Sequence, residues 1–151
     1  MSNRIQPIEI EDAKIIWRNF AGKGDTYNRE GNRNFNVVIE DESAALMLQD
    51  EGWNVRLKEP REGYDGDPFY HMEVTVSYAN IPPNVWLITS SNKTLLDENT
   101  IDSLDYAEIE SIDLVISPYR WEVNGKTGVK AYLKTAYVTI VEDRFSSKYG
   151  L

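Results

Sequence analysis

The pair Asn124-Gly125 restricts the fold of this 151-residue chain more than any other feature. Asn-Gly between β-rich runs is a strong hairpin signal, because both residues accept the positive φ of a tight turn between twisted strands. An apolar strand from Ile112 to Ile116 leads toward the pair. Gly128 supplies a second flexible point before a β-rich run from Val129 to Val141. The segment therefore reads as a hairpin with an aromatic and basic loop at its tip. Arg120, Lys126, Lys130 and Lys134 stand there against one acid, Glu122, with Tyr119, Trp121 and Tyr132 interleaved. Cations beside aromatic faces suit unpaired nucleic acid, since every base has a stackable face and every nucleotide a phosphate. The same residues also suit a solvated hairpin whose aromatics belong to the core.

The net charge of −9 argues at first against a polyanionic partner. Its distribution reverses that. Residues 14–35 hold five cations (Lys14, Arg18, Lys23, Arg29, Arg33) against Asp25 and Glu30, a net of +3. Residues 117–134 hold four cations against one acid, again +3, whereas residues 40–116 hold four cations against seventeen acids, −13. Where charge sits decides an electrostatic footprint, so two basic segments that meet in space would form one positive groove on an acidic body.

Read in order, the chain is strand-rich. Broken apolar alternation from Ile8 to Phe20 predicts a strand, and residues 21–34 form a polar, mobile loop with three glycines. Phe35 to Ile39 follows as a second strand. Ser43 is placed to cap a short helix over Ala44–Glu51, with Ala44, Ala45, Met47 and Leu48 as its apolar stripe and Gly52 as its stop. Trp53–Leu57 alternates again, and Glu59–Pro68 is an acidic loop. Phe69–Tyr78 is the clearest strand: Tyr70, Met72, Val74, Val76 and Tyr78 face one way, and His71, Glu73, Thr75 and Ser77 the other. Val85–Thr89 is a short strand, Ser90–Lys93 a turn and Leu95–Leu104 a short helix entry. Residues Ile109–Ile116 and Val129–Val141 are strands, and residues 142–151 a flexible tail.

That makes five main strands, two lesser ones and one helix in a single domain over residues 1–151. Strand-rich chains of this size close or sandwich their sheets to protect the edges. A five-stranded, mainly β barrel of the oligonucleotide-binding (OB) type, with long loops and a short helix, fits the spacing. In that fold the loops between strands one and two and between strands four and five flank the binding cleft. The two basic segments coincide with those two loops. Within the closing strand, Lys126, Lys130, Tyr132 and Lys134 share a parity with apolar Ala136, Val138 and Ile140. Either a bulge near Thr135 or the barrel rim must separate them.

Other chemistries lack their residues. There is no cysteine, so disulfides, thiolate catalysis and Cys-based metal sites are excluded. His71 is the one histidine, and a metal site would need further ligands beside it. No phosphate-binding glycine loop of P-loop spacing occurs, and no nucleophile has a histidine context. The protein reads as non-enzymatic, with no cofactor and no metal. No run of apolar residues is long enough for a membrane helix, and the N-terminal residues lack a signal peptide's apolar core, which points to the cytoplasm.

The stretch Asp113-Leu114-Val115-Ile116-Ser117-Pro118-Tyr119-Arg120-Trp121, followed by Asn124-Gly125-Lys126-Thr127-Gly128-Val129-Lys130-Ala131-Tyr132-Leu133, resembles bacteriophage single-stranded-DNA-binding proteins of the OB type. The shared shape is a strand entering Pro-Tyr-x-aromatic, then Gly-Lys-x-Gly and a closing strand with Tyr-Leu. Trp17-Arg18-Asn19-Phe20 and the loop to Arg33-Asn34-Phe35 are similar to the family's first hairpin. The resemblance implies coating of single-stranded DNA in phage replication, recombination or repair, in the host cytoplasm. Phage replication or recombination proteins would be its partners, and an oligomer is compatible with it. The family's acidic C-terminal tail is missing from Asp143–Leu151, so recruitment through such a tail is not implied.

The expected contacts are Arg18, Lys23, Arg29 and Arg33 on phosphates, with Phe20, Tyr27 and Phe35 on bases. Phe20 is preferred to Trp17, which lies on the opposite strand face. The second loop adds Tyr119, Arg120, Trp121, Lys126, Lys130, Tyr132 and Lys134. Two other readings compete. An acidic phage protein could bind a host or phage protein through residues 40–113, as a nucleic-acid mimic or in a structural or inhibitory role. A small-ligand barrel would line a pocket with the aromatics.

Overall fold

The computed structural model describes residues 5–63, 65–79 and 82–142; the expected flexible tail lies outside them except for Glu142. The strands are β1 (Ile8–Ile10), β2 (Lys14–Asn19), β3 (Arg33–Ile39), β4 (Val55–Lys58), β5 (Phe69–Val76), β6 (Asn84–Ile88), β7 (Lys93–Leu96), β8 (Ile109–Val123) and β9 (Lys126–Ile140). Helix α1 spans Glu42–Glu51, and a short 3₁₀ helix, η1, spans Ile101–Asp105.

The first predicted strand is one run kinked into two. Asp12 adopts φ 51°, its N–H donates to Asp113 Oδ1 at 2.8 Å, and the Ala13 N–H donates to the Ile112 carbonyl at 2.8 Å. The kink lets β1 pair with β8 while β2 pairs with β3. From β2 the ladder runs antiparallel to β3 and β5, parallel to β9, then antiparallel to β8 and on to β1. Because β1 and β2 are halves of one segment, the two ends of this path are joined through residues 11–13, and the sheet is an open one, with no ladder between β1 and β2 among the described residues. β4 adds to the edge of β5, and the β6–β7 hairpin adds to β9 through a parallel β6–β9 ladder.

Inside, Phe20, Phe35, Met72, Val74, Ile112, Leu114, Ile116 and Val138 are buried. Each large apolar side chain removed from water contributes about 1.5–3 kcal/mol before entropy is counted, which suffices to fix the register of every strand that carries one. The parity conflict in β9 is resolved by a bulge. Ile116 pairs with Leu133 but Val115 with Thr135, so Lys134 is an extra residue. Val129, Ala131 and Leu133 point inward before it, and Ala136 and Val138 after it.

Three expectations change. The hairpin has no long tip loop: β8 continues to Val123 and β9 begins at Lys126, leaving a two-residue turn with φ 51° at Asn124 and 79° at Gly125. Pro118 is tolerated in β8 because β9 is the one strand paired with it at that level. Helix α1 is capped by Asp41, whose side chain accepts from the Ser43 N–H, and Met47 is exposed rather than in the apolar stripe. Residues 93–96 form a strand, because Leu96 seats in the core opposite Val85, so helix begins later, at Ile101.

Candidate nucleic-acid interface

The outer surface of β3 and β5 is the floor of a groove. Alternation sends Phe35, Val37, Met72 and Val74 inward, leaving Asn34, Asn36, His71 and Glu73 outward, with Thr75 on the same face but buried. One row runs across four strands: Asn34 beside Thr75, Thr75 beside Tyr132, Tyr132 beside Ser117. The parallel β5–β9 contact thus carries the hairpin's outer face to the edge of the floor.

The hairpin is one wall. Paired residues share a face, which places Tyr119 with Lys130, Trp121 with Gly128, and Val123 with Lys126. Tyr119 meets Tyr132 edge-on at 6.0 Å, and the Lys130 ammonium lies 5.3 Å from the Tyr132 ring centre. Trp121 lies over Gly128, where a Cβ would stand 2.5 Å from the indole, so glycine is needed there for close approach. The wall is anchored at its base by the Val129 N–H donating to the Gly52 carbonyl at 2.9 Å and by a bridge from Trp53 to Val129. Arg120 alternates with Tyr119 and Trp121 and so occupies the other hairpin face, apart from the groove. Lys134 is exposed at the bulge.

Residues 20–32 are the opposite wall, and they are tied down rather than loose. The Asn28 amide donates to the carbonyls of Lys23 (2.8 Å) and Asn32 (3.0 Å), while its Oδ1 accepts from Asn32 and Asn34. Asn19 exchanges two hydrogen bonds with the Lys23 backbone, and Glu30 accepts from the Gly24 N–H. Tyr27 is 98% exposed on this frame, and Arg29 is exposed beside it. Lys23 donates to the Tyr106 hydroxyl at 3.0 Å, a contact that raises its pKa. The two walls meet: Arg33, Lys130 and Tyr132 line one hollow of about 530 Å³.

Several expected contacts have other tasks. Phe20 and Phe35 are 1% and 0% exposed and stack on each other in the core at 5.3 Å, so neither can receive a base. Arg18 donates to the carbonyls of Leu104 (2.8 Å) and Ala107 (2.7 Å), holding η1 in place. Arg33 donates to the Phe20 carbonyl at 2.7 Å and lies 5.7 Å from the Tyr78 ring. Both arginines are framework residues whose charge still borders the groove.

Trp17, not among the expected contacts, lies on the outer surface. It stands at a register shift in β2 with φ 53° and is 52% exposed. Its ring meets His71 edge-on at 4.9 Å and Phe69 at 6.4 Å, with Arg56 and Lys58 on β4 paired beside them. His71 Nδ1 shares a 2.8 Å hydrogen bond with Asn36 Oδ1. Burial, then the charges of Arg56 and Lys58, lower the His71 pKa, which favours the neutral ring. Tyr106, exposed over Lys23, is a further aromatic that sequence pattern did not mark. Among the described residues no group of His, Asp or Glu could hold a metal ion, and no helix is long and apolar enough to cross a membrane.

The model of the phage ssDNA-binding domain family matches residues 1–151. The chain belongs to that family. Its members bind single-stranded DNA and are not enzymes, and the same holds for this chain. Among solved structures it is similar to the single-stranded DNA-binding protein of bacteriophage Enc34. The C-terminally truncated form superposes with a TM-score of 0.56 at 10% identity, covering 91% of this chain and 87% of that one. The form in complex with ssDNA gives 0.53 at 13% identity over 92% and 89%. At such identity the likeness shows the shared fold. No curated protein sequence matches the chain.

Proposed function

We propose that this phage ssDNA-binding protein coats single strands by laying them along the groove between the hairpin and residues 20–32. Bases stack on Tyr119, Trp121, Tyr132, Tyr27 and Trp17, and Lys23, Arg29, Lys126, Lys130 and Lys134 neutralise phosphates. The carrying observation is the meeting of the two aromatic and basic walls over the outer face of β3 and β5, where Arg33, Lys130 and Tyr132 border one hollow. Stacking contributes about 1–3 kcal/mol per base and tolerates any base sequence, which suits a coating protein. The role is in phage DNA replication, recombination or repair in the host cytoplasm, beside the phage proteins that act on the same strand.

Fluorescence anisotropy with labelled oligo-dT at several salt concentrations tests this. The log of affinity should fall against the log of salt with a slope of about −0.7 for each phosphate contact. Absence of binding at low salt would overturn the groove as a DNA site.

A further inference from the structure

Resting on that reading, we propose that Glu73 biases the groove toward bases carrying an exocyclic amine and against thymine. Beneath residues 20–32 lies a hollow of about 600 Å³, with Trp17, Tyr27 and Tyr106 as aromatic borders and Glu73 on its floor. It has room for a nucleotide. Two other carboxylates line it, and both are committed to the backbone. Asp105 accepts from the N–H groups of Phe20 (2.7 Å) and Ala21 (3.0 Å), and Asp25 accepts from those of Tyr27 and Asn28 (each 2.7 Å). The amides of Asn28 and Asn34 are likewise spent on the loop. Glu73 is exposed, and no hydrogen bond to its side chain is found among the described residues. It borders a second hollow as well, the one beneath Trp121 and Lys130. A strand crossing from one wall to the other therefore passes this carboxylate.

A carboxylate on the floor of a groove for a polyanion repels phosphate; Arg18 and Lys23 line the first hollow with it and Arg56 and Lys130 the second, and what a base can offer it is a hydrogen-bond donor. Ionised, it accepts and cannot donate. Cytosine N4, adenine N6 and guanine N2 offer amino hydrogens, and the carboxylate-to-cytosine-amine pair is an established mode of base reading. Thymine offers a single N–H flanked by two carbonyl oxygens, which turn negative partial charge toward Glu73. The groove then selects by base composition, while stacking and phosphate contacts remain common to all sequences.

The test is anisotropy with labelled oligo-dC and oligo-dT of equal length at neutral pH, for the wild type and for Glu73→Gln and Glu73→Ala. The wild type should bind oligo-dC about five-fold or more tightly than oligo-dT, the lower end of what one base-edge contact gives. Both variants should bring the two affinities together, mainly by tightening oligo-dT. Equal affinities in the wild type would overturn the proposal, as would equal tightening of both oligomers in the variants, since that is charge repulsion without base reading. If the wild type binds neither oligomer, the groove itself fails as a DNA site. Binding of both without preference removes only the role of Glu73.

Discussion

Trp17 and Phe20 divide burial and exposure in a way that alternation alone does not give. A β-strand of strict period two would place them on opposite faces, and it does not say which faces the core. The register shift after Ile16 lifts Trp17 onto the outer surface with positive φ, and Phe20 turns back to stack on Phe35. Positive φ at a tryptophan is rare and leaves no mark in composition, so the residue best placed to stack was not the one the sequence favoured. The two substitutions should separate cleanly. Phe20→Ala should lower stability by about 3–5 kcal/mol, as for other fully buried aromatics, visible as a large drop in melting temperature. Trp17→Ala should leave the melting temperature close to wild type and weaken oligo-dT binding by about 1–3 kcal/mol, one stacked base. A Trp17→Ala protein with wild-type affinity would place the DNA path elsewhere.

Among the elements, the β8–β9 hairpin shows best what a sequence carries and what it omits. Asn124-Gly125 located the turn, and the parity of Lys130 against Val138 required the bulge that Lys134 provides. Both are local facts. The strand character of Pro118 to Val123 was hidden because proline and polar residues read as loop. What permits strand there is the vacant side of β8, a property of the sheet rather than of those residues. Glycine at 128 also acts differently from the expectation of flexibility. No positive φ is recorded there; Gly128 makes room for the Trp121 indole. Gly128→Ala should therefore push Trp121 off its seat and weaken oligo-dT binding about as much as Trp121→Ala does. The melting temperature should change little, because this part of the hairpin is exposed and the hydrophobic core lies beyond it. Near-ultraviolet circular dichroism would report the displaced indole. An unchanged spectrum with unchanged affinity would show that the ring tolerates the methyl group where it stands.

Over the whole molecule, the decisive contact is the least local one. The groove exists because β5 and β9 pair in parallel, Val74 beside Ala131 and Thr75 beside Tyr132, which joins the hairpin to the floor. No pattern within either strand specifies that pairing; it joins strands far apart in the sequence, and the expected OB topology was the only route by which the sequence could suggest it. Charge segregation, by contrast, is additive along the chain and could be counted directly. It makes a quantitative demand on a protein of net charge −9 that holds a polyanion. Long-range repulsion from the acidic body is screened beyond about 8–10 Å at physiological salt, so affinity must come from cations within touching distance of the strand. Lys126 and Lys130 share the exposed groove face of the hairpin, with Lys130 over the Tyr132 ring. Reversing both to Glu removes two phosphate contacts, so the log–log salt slope should become shallower by about 1.4. Affinity at low salt should drop further than loss of two contacts alone explains, because two new repulsive charges face the strand. The melting temperature should stay near that of the wild type, since both side chains are exposed. A slope equal to the wild type's would remove the hairpin from the DNA path and leave residues 20–32 and the Trp17 patch to carry the binding alone.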